Sequence, residues 1–181
     1  MKKFILGVIC CGSLLFAEGF TLKSDAINGQ LASAQVLNGF GCRGSNVSPH
    51  LSWKNAPKGT KSFAVTMYDP DAPTGSGWWH WVVFDIASDV TFLAENSGDI
   101  ALNKMPKNTL QSRNDFGQMG YGGACPPVGH GVHKYIFTVY ALDTPTLSLD
   151  VNASPALVGF MLHLHTLAKA SLIAYYSRAN E

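Results

Sequence analysis

The sequence carries no G-x-S-x-G elbow, no H-E-x-x-H pair and no Walker loop, so the commonest signatures of hydrolytic and nucleotide chemistry are missing. A charge surplus is missing too. Thirteen basic residues stand against 12 acidic ones, a balance that argues against general nucleic-acid binding while leaving room for a small anion held by a few local groups. After the first 17 residues no stretch is apolar and long enough to span a bilayer, which takes about 20 residues. There is no internal repeat, no low-complexity tract and no linker that would divide the chain. Clear helix signals are absent through its middle.

What is present begins with a leader. Lys2 and Lys3 form a short basic start, Phe4 to Phe16 hold no charge, and Ala17 offers a small residue for cleavage. The layout is that of a secretory signal over residues 1–17, with one domain over 18–181, placing the mature protein in the periplasm or outside the cell. The apolar run is short for an uncleaved anchor, and neither Cys10 nor Cys11 follows the small residue that lipid attachment requires. Removal of the leader leaves 164 of 181 residues, ample for one core. Loss of Lys2 and Lys3 takes the bases from 13 to 11 against 12 acids, a net charge of −1. The mature chain then holds only Cys42 and Cys125. In an oxidising compartment these pair; the other reading is two independent, partly buried thiols.

Period-two patterning predicts strands over Ser62–Asp69, Trp78–Ile86 and His133–Leu142, the last with His133, Tyr135, Phe137 and Val139 on one face. On the second strand His80 is expected to share a face with Val82, Phe84 and Ile86. Ser154 before Pro155 supplies a helix cap and a first-turn proline. Leu157, Met161, Leu164, Ala168, Leu172 and Tyr175 then recur at three- and four-residue spacing, which predicts a helix from Pro155 to about Tyr176. His165 falls on its apolar face as a hydrogen-bonded core residue, and His163 faces solvent. The fold class is mostly β, or α+β, with a C-terminal helix.

Two segments concentrate polar residues at strand ends. Asp69-Pro70-Asp71-Ala72-Pro73 precedes His80, with prolines fixing the backbone near both carboxylates. Carboxylates beside an imidazole favour its charged form, which suits an anion site or a proton shuttle. Ordinary turn chemistry is the plainer account of Asp69 and Asp71. The second segment runs from Gly120 to Tyr135, where Gly122 and Gly123 can expose backbone N–H groups to an anion. Pro126 and Pro127 stiffen it, and His133 and Tyr135 point the same way.

The stretches DPDAPTGSGWWHW and GYGGACPPVGHGVHKYIFTVYAL resemble the two signature regions of the phosphatidylethanolamine-binding family. GCRGSNVSPHLSWKNAPKGTKSFAV, NDFGQMGYGG and HTLAKASLIAYYSR are similar to its bacterial, Raf-kinase-inhibitor-like branch. The resemblance implies a β-sandwich with peripheral helices and a cavity for phosphate-like anions or phospholipid head groups. It places Asp69, His80, Pro126, His133 and Tyr135 in that cavity, Asp71, Cys125 and Pro127 beside it, and Trp78 as a wall. No cofactor is implied. The kinase regulation seen in animal relatives does not carry over to an exported protein.

Two other classes compete. A hydrolase-like enzyme could draw on Asp69, His80, His133 or Cys125, and an interaction module, such as a protease inhibitor, could use Ser97 to Phe116 as its contact surface. His130 and His133 have metal-like H-x-x-H spacing, but zinc sites show clearer ligand pairs.

Overall fold

The computed structural model describes residues 19–179; the expected signal segment lies outside the described residues. In chain order the strands are β1 (Thr21–Lys23), β2 (Asn38–Gly39), β3 (Cys42–Arg43), β4 (Leu51–Lys54), β5 (Ser62–Asp69), β6 (Trp78–Ala87), β7 (Phe92–Leu93), β8 (Leu110–Gln111), β9 (His133–Leu142) and β10 (Thr166–Tyr176). The helix α1 (Pro155–His165) lies between β9 and β10. Antiparallel pairing orders the large sheet β10-β9-β5-β6-β8 and the small one β1-β4-β7, while β2 and β3 form a hairpin.

The period-two pattern decides how these layers stack. Phe63, Val65 and Met67 of β5 share a core with Phe137 and Val139 of β9 and with Leu22, Leu51 and Trp53 of the small sheet. Ala64, on the opposite face of β5, joins Val82, Phe84 and Leu142 under Val158 and Leu162 of α1. β5 is therefore covered on both sides, as its almost unbroken burial requires. Each large apolar side chain removed from water stabilises the fold by roughly 1.5–3 kcal/mol.

The C-terminal expectation is half right. Ser154 caps α1, its Oγ accepting from the Leu157 N–H at 3.2 Å, with Pro155 in the first turn. The helix stops at His165, however, and Thr166–Tyr176 is a strand in register with β9 from Leu142 back to His133. Leu164, Ala168 and Leu172 sit four residues apart, a spacing that keeps residues on one face of a strand as well as of a helix. Pairing along the whole of β9 outweighs the helix propensity of the alanines. His165 is hydrogen-bonded, as expected, through Nδ1 to Asp143 Oδ1 at 2.9 Å, but it is half-exposed at the helix end rather than part of the core. No helix among the described residues is long and apolar enough to cross a membrane.

Candidate functional site

Antiparallel neighbours bring opposite strand ends together. β5 finishes at Asp69 where β6 starts at Trp78, the two residues being paired, and β9, β5's other neighbour, begins at His133. At this edge lies a cavity of about 230 Å³, with Asp69, His80, His133 and Thr74 as polar lining and Phe40, Trp78, Phe116 and the prolines Pro73, Pro126 and Pro127 among its apolar walls.

His80 reaches the cavity through a β-bulge. Met67 pairs with Trp81 and Tyr68 with Trp79, which leaves His80 as the extra residue. Such an insertion re-aims a side chain. The ring consequently does not follow Val82 and Phe84 to the helix side, as strict alternation predicts. It packs edge-on to Tyr135, 5.2 Å between centroids, and to Phe116 at the same distance. Its Nδ1 donates to the carbonyls of Gly122 at 2.8 Å and Gly123 at 3.1 Å. Carbonyl oxygens only accept, so the proton is fixed on Nδ1 and a neutral ring carries its lone pair on Nε2. Burial lowers the pKa of His80 from 6.5 to about 4, against the raising effect of the two carbonyls and of Asp69.

His133 is the middle of a chain. Its Nδ1 donates to Asp69 Oδ2 at 2.7 Å, and its Nε2 lies 2.8 Å from His130 Nδ1, with one proton shared across that contact. Asp69 Oδ1 accepts the Asp71 N–H at 2.8 Å. Both partners of the Asp69–His133 pair are almost wholly buried, where loss of either leaves an uncompensated group. The H-x-x-H spacing thus serves a histidine–histidine hydrogen bond, and no cluster of three metal-ligating side chains occurs among the described residues.

The other expected site residues divide. Trp78, Cys125, Pro126 and Pro127 line the cavity. Asp71 and Tyr135 do not. Asp71 turns to β9, Oδ2 accepting the Lys134 N–H at 2.9 Å and Oδ1 lying 3.3 Å from Lys134 Nζ. The Lys134 N–H, followed by its side chain and charge, holds the Asp71 carboxyl below the ordinary carboxylate range. Tyr135 is fully buried beneath the two histidines. Its hydroxyl falls short of a hydrogen bond to any described residue, and burial, with the nearby Asp69 charge, pushes the phenol up.

The glycines do something other than expected. The Gly122 N–H donates to the His80 carbonyl and the Gly123 N–H to Asn46 Oδ1 at 2.7 Å, so neither points at a ligand. A Cβ on Gly123 would lie 2.4 Å from the Gln35 carbonyl oxygen, and one on Gly122 would lie 2.5 Å from Phe116. These positions must be glycine so that the loop can press against the chain and hold His80.

Phe40 and Phe116 were not apparent from sequence reasoning. Phe40 sits between two glycines beside Cys42, at a φ of 51°, and its ring lies 5.4 Å from that of Phe116. Phe116 follows Asp115, whose Oδ2 accepts the Trp79 N–H at 2.7 Å. The segment Ser97 to Phe116, which an interaction module could use as its contact surface, is pinned at this end, and β8 within it pairs with β6. Cys42 and Cys125 form a disulfide with Cα atoms 5.9 Å apart, which removes Cys125 as a thiol nucleophile and ties the Phe40 hairpin to the proline loop. Arg178 reinforces that tie, donating to the Gly41 carbonyl at 2.8 Å and the Pro126 carbonyl at 3.5 Å.

Residues 25–177 match the family model described as phosphatidylethanolamine-binding protein. The chain is 50% identical over 180 residues to the UPF0098 protein YbcL of Escherichia coli, covering 97% of this chain and 98% of that protein. It is 53% identical over 157 residues to the UPF0098 protein YbhB of the same organism, covering 86% and 98%. The fold is similar to the crystal structure of E. coli YbcL, described as a new member of the mammalian PEBP family. The TM-score is 0.86 at 49% identity, over 88% of this chain and 99% of that one.

Proposed function

Because the chain belongs to the phosphatidylethanolamine-binding protein family, we propose that it is an exported protein that binds, without transforming, a phosphate-like anion or phospholipid head group in the cavity beside His80. The observation that carries this reading is the ring state of His80. Its Nδ1–H is committed to two carbonyls, and Nε2, the ring's other polar atom, has no partner among the described residues. A phosphate oxygen can meet that lone pair in two ways. It can bring its own proton as P–OH, or its charge can draw a proton onto Nε2 and make a charge-assisted bond. Either way the complex holds one proton that the empty site lacks. The aromatic walls exclude water around that contact and strengthen it.

Affinity for inorganic phosphate therefore falls as pH rises through the phosphate transition, because the dianion arrives without that proton. A phosphodiester head group has no P–OH, so its affinity falls as pH rises because His80 must itself take the proton from solution. Calorimetric titration of phosphate at about pH 8, where it is chiefly the dianion, in buffers of different ionisation enthalpy should count close to one proton taken up for each anion bound beside His80. His80→Ala should weaken binding by roughly 1.5–3 kcal/mol, the worth of one charge-assisted hydrogen bond. Equal affinity of the two proteins for both ligands at about pH 6, on the acid side of the phosphate transition, would place the site elsewhere.

Export is supported by the leader pattern and by the disulfide, a bond that persists in oxidising compartments. N-terminal sequencing of protein recovered from a periplasmic extract or the medium should begin near Glu18. A chain that stays inside the cell with Met1 and Lys2 intact refutes it.

A further inference from the structure

A second cavity, of about 270 Å³, lies on the far side of the disulfide from the first. Cys42 lines this one and Cys125 the other, so the bridge is their common wall. Its charged lining residues are Arg43 and Arg178, accompanied by Ser33, Ser177 and Tyr176, and among the described residues no carboxylate lines it. Arg43 has no ion-pair partner among the described residues. Arg178 is held by neutral groups, the carbonyls of Gly41 and Pro126 and, at 3.9 Å, Cys125 Sγ. Those contacts fix the plane of its guanidinium and leave its other N–H donors unspent.

Two like charges facing one concavity repel unless an anion lies between them, and walls of protein lower the screening that water would provide. The guanidinium fork matches the paired oxygens of phosphate better than a lysine point charge does. Ser33, Ser177 and Tyr176 also line it, and each carries a hydroxyl able to donate. We infer that this cavity is a second, independent anion site, taking a phosphate group that carries two negative charges through Arg43 and Arg178.

The pH response separates this site from the His80 cavity. Arginine keeps its charge throughout the accessible range, and Tyr176 is the other titratable lining residue. Phosphate gains its second charge as pH rises, so binding here strengthens or holds where binding at His80 weakens. The test is titration of inorganic phosphate at about pH 8 and about pH 6, either side of the phosphate transition, into wild type, His80→Ala and Arg43→Gln. Amide shifts of Gly41, Gly44 and Ser177 are followed by NMR. Arg43 is exposed, and its strand pairing with Asn38 is a backbone contact, so the variant should fold.

At the higher pH, wild type and His80→Ala should bind equally, with shifts at those three amides, and Arg43→Gln should bind at least ten-fold more weakly. At the lower pH, Arg43→Gln should keep the binding that His80 provides. Unchanged affinity in Arg43→Gln at the higher pH, or no binding by wild type there, overturns the second site. Binding that ignores His80→Ala at both pH values but vanishes in Arg43→Gln supports the second site and removes the first. Ethanolamine phosphate as a parallel titrant distinguishes the source, since tighter binding than inorganic phosphate assigns the site to an esterified phosphate and weaker binding to the free ion.

Discussion

Replacing both Cys42 and Cys125 with serine should lower the unfolding free energy by about 4.5 kcal/mol, the chain-entropy value for a loop closed over 83 residues. That is a large part of the total stability of a single domain, commonly about 5–15 kcal/mol. The effect arises mainly in the unfolded chain, which the bridge holds together between the β2–β3 hairpin and the loop before β9. Urea denaturation of the oxidised wild type and of the double serine variant measures it, with the midpoint moving down and the slope rising as the unfolded chain expands. A difference under about 1 kcal/mol would mean that the unfolded chain is already constrained there by other structure. The native cavity should also loosen. Phe40 reaches the wall from the hairpin that the bridge anchors, and without it the tie rests on Arg178, which spans Gly41 and Pro126, and on the backbone bond from Leu37 to Ala124.

The strands that build this edge were readable because their apolar residues are β-branched and aromatic and turn residues bound them. Ser62–Asp69 and His133–Leu142 match the predicted bounds, and Trp78–Ile86 runs one residue longer, to Ala87. Where the reading failed, two structures shared one pattern. Spacings of four residues in Leu164, Ala168 and Leu172 satisfy helix and strand alike, and a long-range partner, β9, settled it. At the site, residue types pointed to Asp69, His80 and His133 but not to how each is used. The bulge at His80 depends on the register between β5 and β6, which one strand's sequence does not specify. The glycines advertised free N–H groups, yet Asn46 and the His80 carbonyl, far off in the chain, take them up. Phe40 carried a weak local signal, an aromatic between glycines next to a cysteine. Its role became visible only once Cys42 met Cys125. The paired arginines of the second cavity stand in separate quoted stretches, GCRG and YYSR, and nothing local links the one to the other.

The buried imidazole of His80 makes the empty protein acid-sensitive in a way its ligand should correct. The pKa falls from 6.5 to about 4 on folding, so between those values the unfolded chain binds a proton that the folded one refuses. Stability rises with pH wherever the unfolded state holds more protons. The contribution is therefore unimpaired above pH 6.5, declines as pH falls below it, and is fully lost once pH drops below about 4. At about 1.4 kcal/mol for each pKa unit the loss comes to ~3 kcal/mol. His80→Asn isolates it, since an amide N–H can stand in for Nδ1 toward Gly122 and Gly123 yet does not titrate. Urea unfolding at steps from about pH 7 to about pH 4 should show wild type losing ~3 kcal/mol more than this variant across the range. Parallel curves would mean that His80 accepts its proton as readily in the fold as in the unfolded chain. Adding a phosphodiester head group, which carries one negative charge rather than the two that the arginine cavity takes, should flatten the wild-type curve and leave that of the variant nearly unchanged, because an anion at Nε2 stabilises the imidazolium that the empty cavity disfavours. Stabilisation by ligand grows with its concentration relative to Kd, and Kd at this site itself improves as pH falls. The same proton that weakens the empty fold is thus the one that holds the anion.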